Sequence, residues 1–219
     1  AVLASALAVA FPGTAFAKCD PHRANNGVTY FTGWHHGVGA RVGGTLADIA
    51  NYSPWVYPGQ AVYAWVMITI AGSQWAQIGW EEQAGGYRET FIQWTTSPHV
   101  WHEKDSSPSK VGSLPEYKVL FGNPGPNDFS FYNYSTGYEM VEPAYWTPTG
   151  SQQFGEIHTL ADQMPGGVQD PEVWRYSQVY YNGGWYPYAG TAVNTDPSYF
   201  NVAIYSVSEV QAGDAYCQY

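Results

Sequence analysis

The chain has 219 residues, enough for one large domain with a closed hydrophobic core, and 45% of them are hydrophobic. Charged residues make up only 12%, half the usual ~25%, while 10 Trp, 19 Tyr and 9 Phe give the chain much surface to bury, which excludes disorder, collagen and coiled coil. A net charge of −10 with only 8 Lys+Arg excludes the basic stripe that a nucleic-acid backbone requires.

In chain order, residues 1–17 come first. They carry no charge, are mostly Ala, Val, Leu and Phe, and end Ala15-Phe16-Ala17. An apolar run closed by an A-x-A site reads as the remnant of a secretory signal, which makes 18–219 an exported mature chain. Pro12 and Gly13 interrupt the run, and it is shorter than the ~20 residues a membrane span needs. Cys19 and Cys217 stand at the two ends of the mature chain. In an oxidising compartment they can pair and fasten the termini together.

Beyond Cys19 the chain has no amphipathic helical run. Short β-branched and aromatic segments recur instead, at 61–70, 75–80, 87–95, 117–121, 128–134, 154–160, 178–181, 185–188 and 199–207. Ala71-Gly72-Ser73-Gln74 and Asn182-Gly183-Gly184 supply residues that tolerate positive φ, as hairpin loops require. Two longer stretches read as loops that could bind a ligand: 95–114, rich in Ser, Pro, Lys and His, and 164–172, with Pro and Gly at its ends. No linker or composition shift divides the chain. The expectation is a single all-β domain, an antiparallel β-sandwich or jelly roll.

Two polar residues stand out on otherwise apolar strands. Alternation puts Trp75, Gln77 and Gly79 on one face of their strand and Ala76, Ile78 and Trp80 on the other. Gln77 is either a satisfied amide within a sheet or a functional group among aromatics. In Gln153-Phe154-Gly155-Glu156-Ile157-His158, Phe154, Glu156 and His158 share a face. A carboxylate there is either an edge residue facing solvent or a paired, working group. His35-His36 and His99/His102/Glu103 lack both HExxH spacing and a supporting helix, so no metal or other cofactor is expected. Glu81-Glu82 and Glu139/Glu142 could form glycosidase-like carboxylate pairs only if their separation suited it.

The stretch Val62-Tyr63-Ala64-Trp65-Val66-Met67-Ile68, a hairpin, and then Ala76-Gln77-Ile78-Gly79-Trp80 resembles the glutamic peptidases of the eqolisin type. In that family one strand brings a substrate-side Trp and the next a catalytic Gln closely followed by Gly. Phe154-Gly155-Glu156-Ile157, Pro165-Gly166-Gly167 and Ser198-Tyr199-Phe200, in that order, resemble the neprosin-type glutamic peptidases of plants and bacteria, as does Gly79-Trp80 followed by the Arg88–Phe91 segment. Neprosins carry Glu where this chain has Gln77, so the resemblance implies an eqolisin-type Gln/Glu dyad. It also implies a concanavalin-like sandwich, a polypeptide substrate, activity in acid, Gln77 and Glu156 as catalytic residues, and Trp65 on the substrate wall with Trp75 and Trp80 beside it. A secreted monomer is expected. The reading from another class is a carbohydrate- or cell-wall-binding module, using Trp34, Trp55, Trp101, Trp146, Trp174 and Trp185 in or beside loops to stack on sugar rings.

Overall fold

The computed structural model describes residues 18–37, 41–70, 74–106 and 110–217. The expected signal segment 1–17 and most of the expected hairpin loop, 71–73, lie outside the described residues. The strands in chain order are β1 (Tyr30–Gly37), β2 (Val42–Ile49), β3 (Ala61–Ile70), β4 (Gln74–Gln83) and β5 (Arg88–Ser97). They continue with β6 (Val100–Ser106), β7 (Glu116–Phe121), β8 (Asp128–Asn133), β9 (Tyr138–Pro143) and β10 (Gly150–Ile157). The last five are β11 (Glu172–Tyr181), β12 (Gly184–Pro187), β13 (Thr191–Asn194), β14 (Phe200–Ser206) and β15 (Glu209–Asp214). There is no α-helix among the described residues, and hence none long and apolar enough to cross a membrane.

The strands form two antiparallel sheets, in the orders β13-β1-β10-β3-β4-β5-β6 and β14-β15-β11-β2-β7-β8-β9, with β12 paired to β11. This is the all-β sandwich expected from the sequence. Period-two alternation builds the core between the sheets. Val62, Ala64, Val66 and Ile68 of β3, with Ala76, Ile78 and Trp80 of β4, meet Ile49, Tyr117, Val119, Phe129 and Trp174 of the opposite sheet. One polar group inside ties the sheets together. Gln153 accepts the Trp34 indole N–H at 2.8 Å and donates across the sandwich to Thr45 Oγ1 and the Leu46 carbonyl at 2.9 and 3.0 Å. Such a fully satisfied amide ties the two sheets without leaving an orphan.

The other face of the β1–β6 sheet is also apolar. Trp65, Met67, Phe91 and Phe154 form a second buried cluster there, edged by Phe31, Tyr63 and Trp75. Gly79 sits in its middle. A methyl at that position would lie 1.9 Å from the Ala64 carbonyl oxygen and 2.7 Å from Trp65 Cα, both backbone atoms of β3, so only Gly lets the two central strands approach this closely.

Two expectations change. The segment 95–114 is not one long loop: β5 runs on to Ser97, and Val100–Ser106 form β6, an edge strand hydrogen-bonded to β5. Its side chains are exposed on both faces, so it carries no hydrophobic alternation. The segment 164–172 is not an open binding loop either. Met164 to Gly167 are buried, Gly166 adopts a φ of +79°, and Val168 N–H donates to the Cys217 carbonyl at 2.8 Å. Its glycines let the chain pass beside the terminal disulfide. The asparagines of the chain's two N-x-S sequons are buried as well: the Asn51 amide donates to Lys110 O and Ser113 Oγ, and that of Asn133 to Thr90 Oγ1.

Cys19 and Cys217 are joined as a disulfide, with Cα atoms 5.7 Å apart and 198 residues between them in sequence. Closing so long a loop restricts the unfolded chain. Reducing the bond, or the Cys19→Ser/Cys217→Ser pair, is expected to lower stability by about 2–5 kcal/mol. Urea unfolding with and without a thiol reductant reads this directly as a fall in the midpoint.

Candidate active site

The register of the β1–β6 sheet sets out its outer face in three rows. Phe31, Glu156, Tyr63, Glu81 and Glu89 are successive Cα partners across β1, β10, β3, β4 and β5. The next row runs Gly33, Phe154, Trp65, Gly79, Phe91 and Asp105, and the third His35, Gln152, Met67, Gln77, Gln93 and Glu103. A cleft of about 280 Å³ lies over this face. Gln77 and Gln93 line one part of it, Glu156 and Phe31 another, and Trp65, Met67, Trp75 and Gln152 complete the lining.

Both polar residues singled out in the sequence therefore face one cleft. They stand apart within it. Gln77 pairs with Met67 of β3, whereas Glu156 pairs with Tyr63, four positions along the same strand. Four residues of β-strand span about 13 Å, and two interstrand spacings about 10 Å. The two side chains do not hydrogen-bond to each other.

Each is held from its own side. Glu156 Oε2 accepts the Trp65 indole N–H at 2.8 Å, and its Oε1 lies 2.9 Å from His158 Nε2. One lone pair on each oxygen stays available. Gln77 Nε2 donates to Gln93 Oε1 at 2.8 Å, and Gln93 in turn hydrogen-bonds Glu103. This chain of amides orients Gln77 and leaves its second N–H and its carbonyl for a ligand.

Trp65 is only 2% exposed, its ring set edge-on to Phe154 and Phe31 at 5.3 and 6.4 Å. Its main contribution to the site is the N–H given to Glu156. Trp75 borders the cleft. Trp80 does not: it is wholly buried between the sheets, donating its indole N–H to the Ala50 carbonyl at 2.9 Å with the Arg88 guanidinium 4.5 Å from its ring. The strand parity that turns Gln77 outward turns Trp80 inward. Gln93, Gln152 and Phe31 escape sequence reasoning, since each joins the cleft only through strand pairings that no local pattern specifies.

A second cavity of about 480 Å³ adjoins this site, bordered by Gln60, Tyr63, Glu81, Gln83, Glu103 and His158. Its carboxyls are hard to ionise. Burial pushes Glu81 up to about 7, with Glu103, Glu89 and Asp105 adding to the rise, and burial raises Glu89, Glu103 and Asp105 themselves. Glu82 does not share this site, because it faces the core and pairs there with Arg88 and Lys18 at 2.6 and 2.7 Å. The aromatic residues considered for sugar stacking are largely unavailable. Trp34, Trp146 and Trp174 are buried, Trp55 and Trp185 are partly covered, and Trp101 is the exposed one of the six, at 54%.

No known sequence family matches this chain, and no curated protein matches it. Solved structures do match its fold. A scytalido-glutamic peptidase bound to a peptide-based transition-state analogue superposes with a TM-score of 0.61 at 12% identity, over 85% of this chain and 98% of that one. The same peptidase with a transition-state-analogue inhibitor gives 0.59 at 11% identity, with the same coverage of both chains. SCP-B, a member of the eqolisin family of peptidases in complex with the tripeptide Ala-Ile-His, gives 0.63 at 12%, again over 85% and 98% of the two chains. At these identities the likeness is one of fold: this chain has the sandwich of the eqolisin glutamic peptidases.

Proposed function

We propose that the chain is an exported glutamic-type endopeptidase that hydrolyses peptide bonds in acid, with Gln77 and Glu156 as its catalytic residues. The observation that carries this reading is that the single Gln and the single Glu picked out by motif both line the aromatic cleft of a sandwich shared with glutamic peptidases. For both to act on one peptide bond, the scissile carbonyl must lie between them over Trp65 and Met67, with the two side chains extended towards it.

The chemistry follows from the side chains. Ionised Glu156 takes a proton from a water as its oxygen attacks the scissile carbonyl carbon. The carbonyl π bond opens to an oxyanion, which accepts the free N–H of Gln77. As the tetrahedral carbon collapses, the C–N bond breaks and Glu156 returns its proton to the leaving amine. The carboxylate is regenerated and no cofactor takes part. The disulfide between Cys19 and Cys217 suits an exported protein.

Digestion of a denatured protein between about pH 2 and about pH 8, read by mass spectrometry, tests this reading. Internal cuts confined to acid support it; intact substrate throughout, with the chain shown to be folded, removes it. Gln77→Ala is expected to lower kcat/KM by about 10²–10³, as loss of one oxyanion donor does, with KM changed far less than kcat. Steady-state rates on a quenched fluorescent peptide measure this.

A further inference from the structure

We propose that His158 is a positioning residue for Glu156, an imidazolium whose hydrogen bond holds the carboxylate in its place at the cleft. The consequence for catalysis rests on the peptidase reading; the pair itself does not.

His158 follows β10 directly, and the two-residue strand spacing puts its ring on the same face as Glu156. Its Nε2 lies 2.9 Å from Glu156 Oε1, while the Trp65 N–H takes the other oxygen at 2.8 Å. The carboxylate is thus gripped at both oxygens. The imidazole is gripped too. Its ring lies 5.3 Å from that of Tyr63, and its backbone N–H donates to the Asp162 carboxylate, which also takes the Tyr57 N–H at 2.7 Å. Asp162 is fully buried, so it fixes the turn that carries His158.

The pair also spans two spaces. His158 borders the acidic cavity and Glu156 the cleft, so the hydrogen bond between them connects the two. The groups facing the imidazole are Glu156 at the end of β10, Tyr63 on β3, Glu81 on β4 and Asp162 on the following turn. Facing Glu156 are Trp65 and Tyr63 on β3 and Phe31 on β1. None of these is a cation. No lysine or arginine forms an ion pair with Glu156 among the described residues, which leaves the histidine as its positive partner. The hydrogen bond to Glu156 holds the imidazole above the usual histidine range, against the opposing effect of burial. In acid the imidazolium keeps its proton while Glu156 alone exchanges one with water and substrate.

The test follows the imidazole and the cleavage rate together. Histidine ring resonances of the whole chain are titrated in the wild type and in Glu156→Gln, with His158→Gln identifying the signal among the six histidines. The His158 midpoint is expected to fall by about one pH unit in Glu156→Gln. In His158→Gln kcat is expected to fall by about tenfold with KM little changed, and His158→Lys, which restores a cationic donor, to recover part of that loss. A His158 midpoint indifferent to Glu156→Gln overturns the pair, whatever the activity. An unchanged kcat in a folded His158→Gln overturns the positioning role. Coupled titration in a chain that cleaves nothing upholds the pair and removes the peptidase reading.

Discussion

On the proposed mechanism, replacing Glu156 by Gln is expected to lower peptide cleavage in acid by about 10³-fold or more, because the substitution removes the group assigned to take a proton from the attacking water. The change is close to isosteric. The oxygen of the introduced amide can still accept the Trp65 N–H that now reaches Glu156 Oε2 at 2.8 Å, so the second apolar cluster keeps its contacts. Because Glu156 is only partly buried and faces the cleft rather than the intersheet core, the melting temperature is expected to change by no more than about 3 °C. Rates on a quenched fluorescent peptide, with thermal melts of both proteins, measure the two effects separately. Cleavage within about tenfold of wild type would place the proton acceptor elsewhere.

The folded protein is expected to be more stable in mild acid than at neutral pH. Its buried carboxyls bind protons more tightly when folded: Glu81 titrates at about 7, and Asp48 and Asp162 at about 6. Burial is the first cause in all three. Asp48 also faces Glu116 as its direct strand partner, a like-charge pair when both ionise. Glu172 is wholly buried, and burial pushes it well up against the opposing effect of the Arg88 charge. For an acid whose folded value is raised, the native state holds the extra proton between the unfolded value, about 4, and the folded one. That stabilisation is full below the unfolded value and is lost as pH climbs through about 6 to 7. Tm at about pH 4.5 is expected to exceed Tm at about pH 7.5 by about 10 °C, and Glu81→Gln to flatten the slope. Calorimetry at the two pH values decides it; a higher Tm at neutral pH would contradict the tighter proton binding of the folded state.

The strands legible in the sequence are those with strong alternation between two apolar neighbours. β3 and β5 carry β-branched and aromatic residues at most inward positions, β4 adds Ile78 and Trp80, and their hairpins follow. β1 and β2 are hidden because Gly33 and the Gly43-Gly44 pair break the pattern, although Gly33 is required where a Cβ would lie 2.1 Å from the Gln153 carbonyl. β6 is hidden because solvent lies on both its faces, β13 because it has four residues, and β9 and β15 because they lack an aromatic run. At the site, Gln77 and Glu156 are legible as polar residues on aromatic strands. Their separation is not. It depends on β10 entering between β1 and β3 and on the register it adopts there, both long-range pairings. Gln93 and the acidic cavity are hidden for the same reason.

For the proposed chemistry to run, one bound peptide must engage both Gln77 and Glu156 despite the four-residue offset between them. That engagement can be observed by titrating the protein with a hydrolysis-resistant peptide carrying a tetrahedral hydroxyl in place of the scissile carbonyl, following side-chain amide and indole resonances by NMR. The Gln77 Nε2 and Trp65 Nε1 signals are expected to shift together, to saturate with one Kd, and both to lose that response in Glu156→Gln. A peptide that binds and moves Trp65 while leaving Gln77 unchanged would contradict a shared role for the two residues.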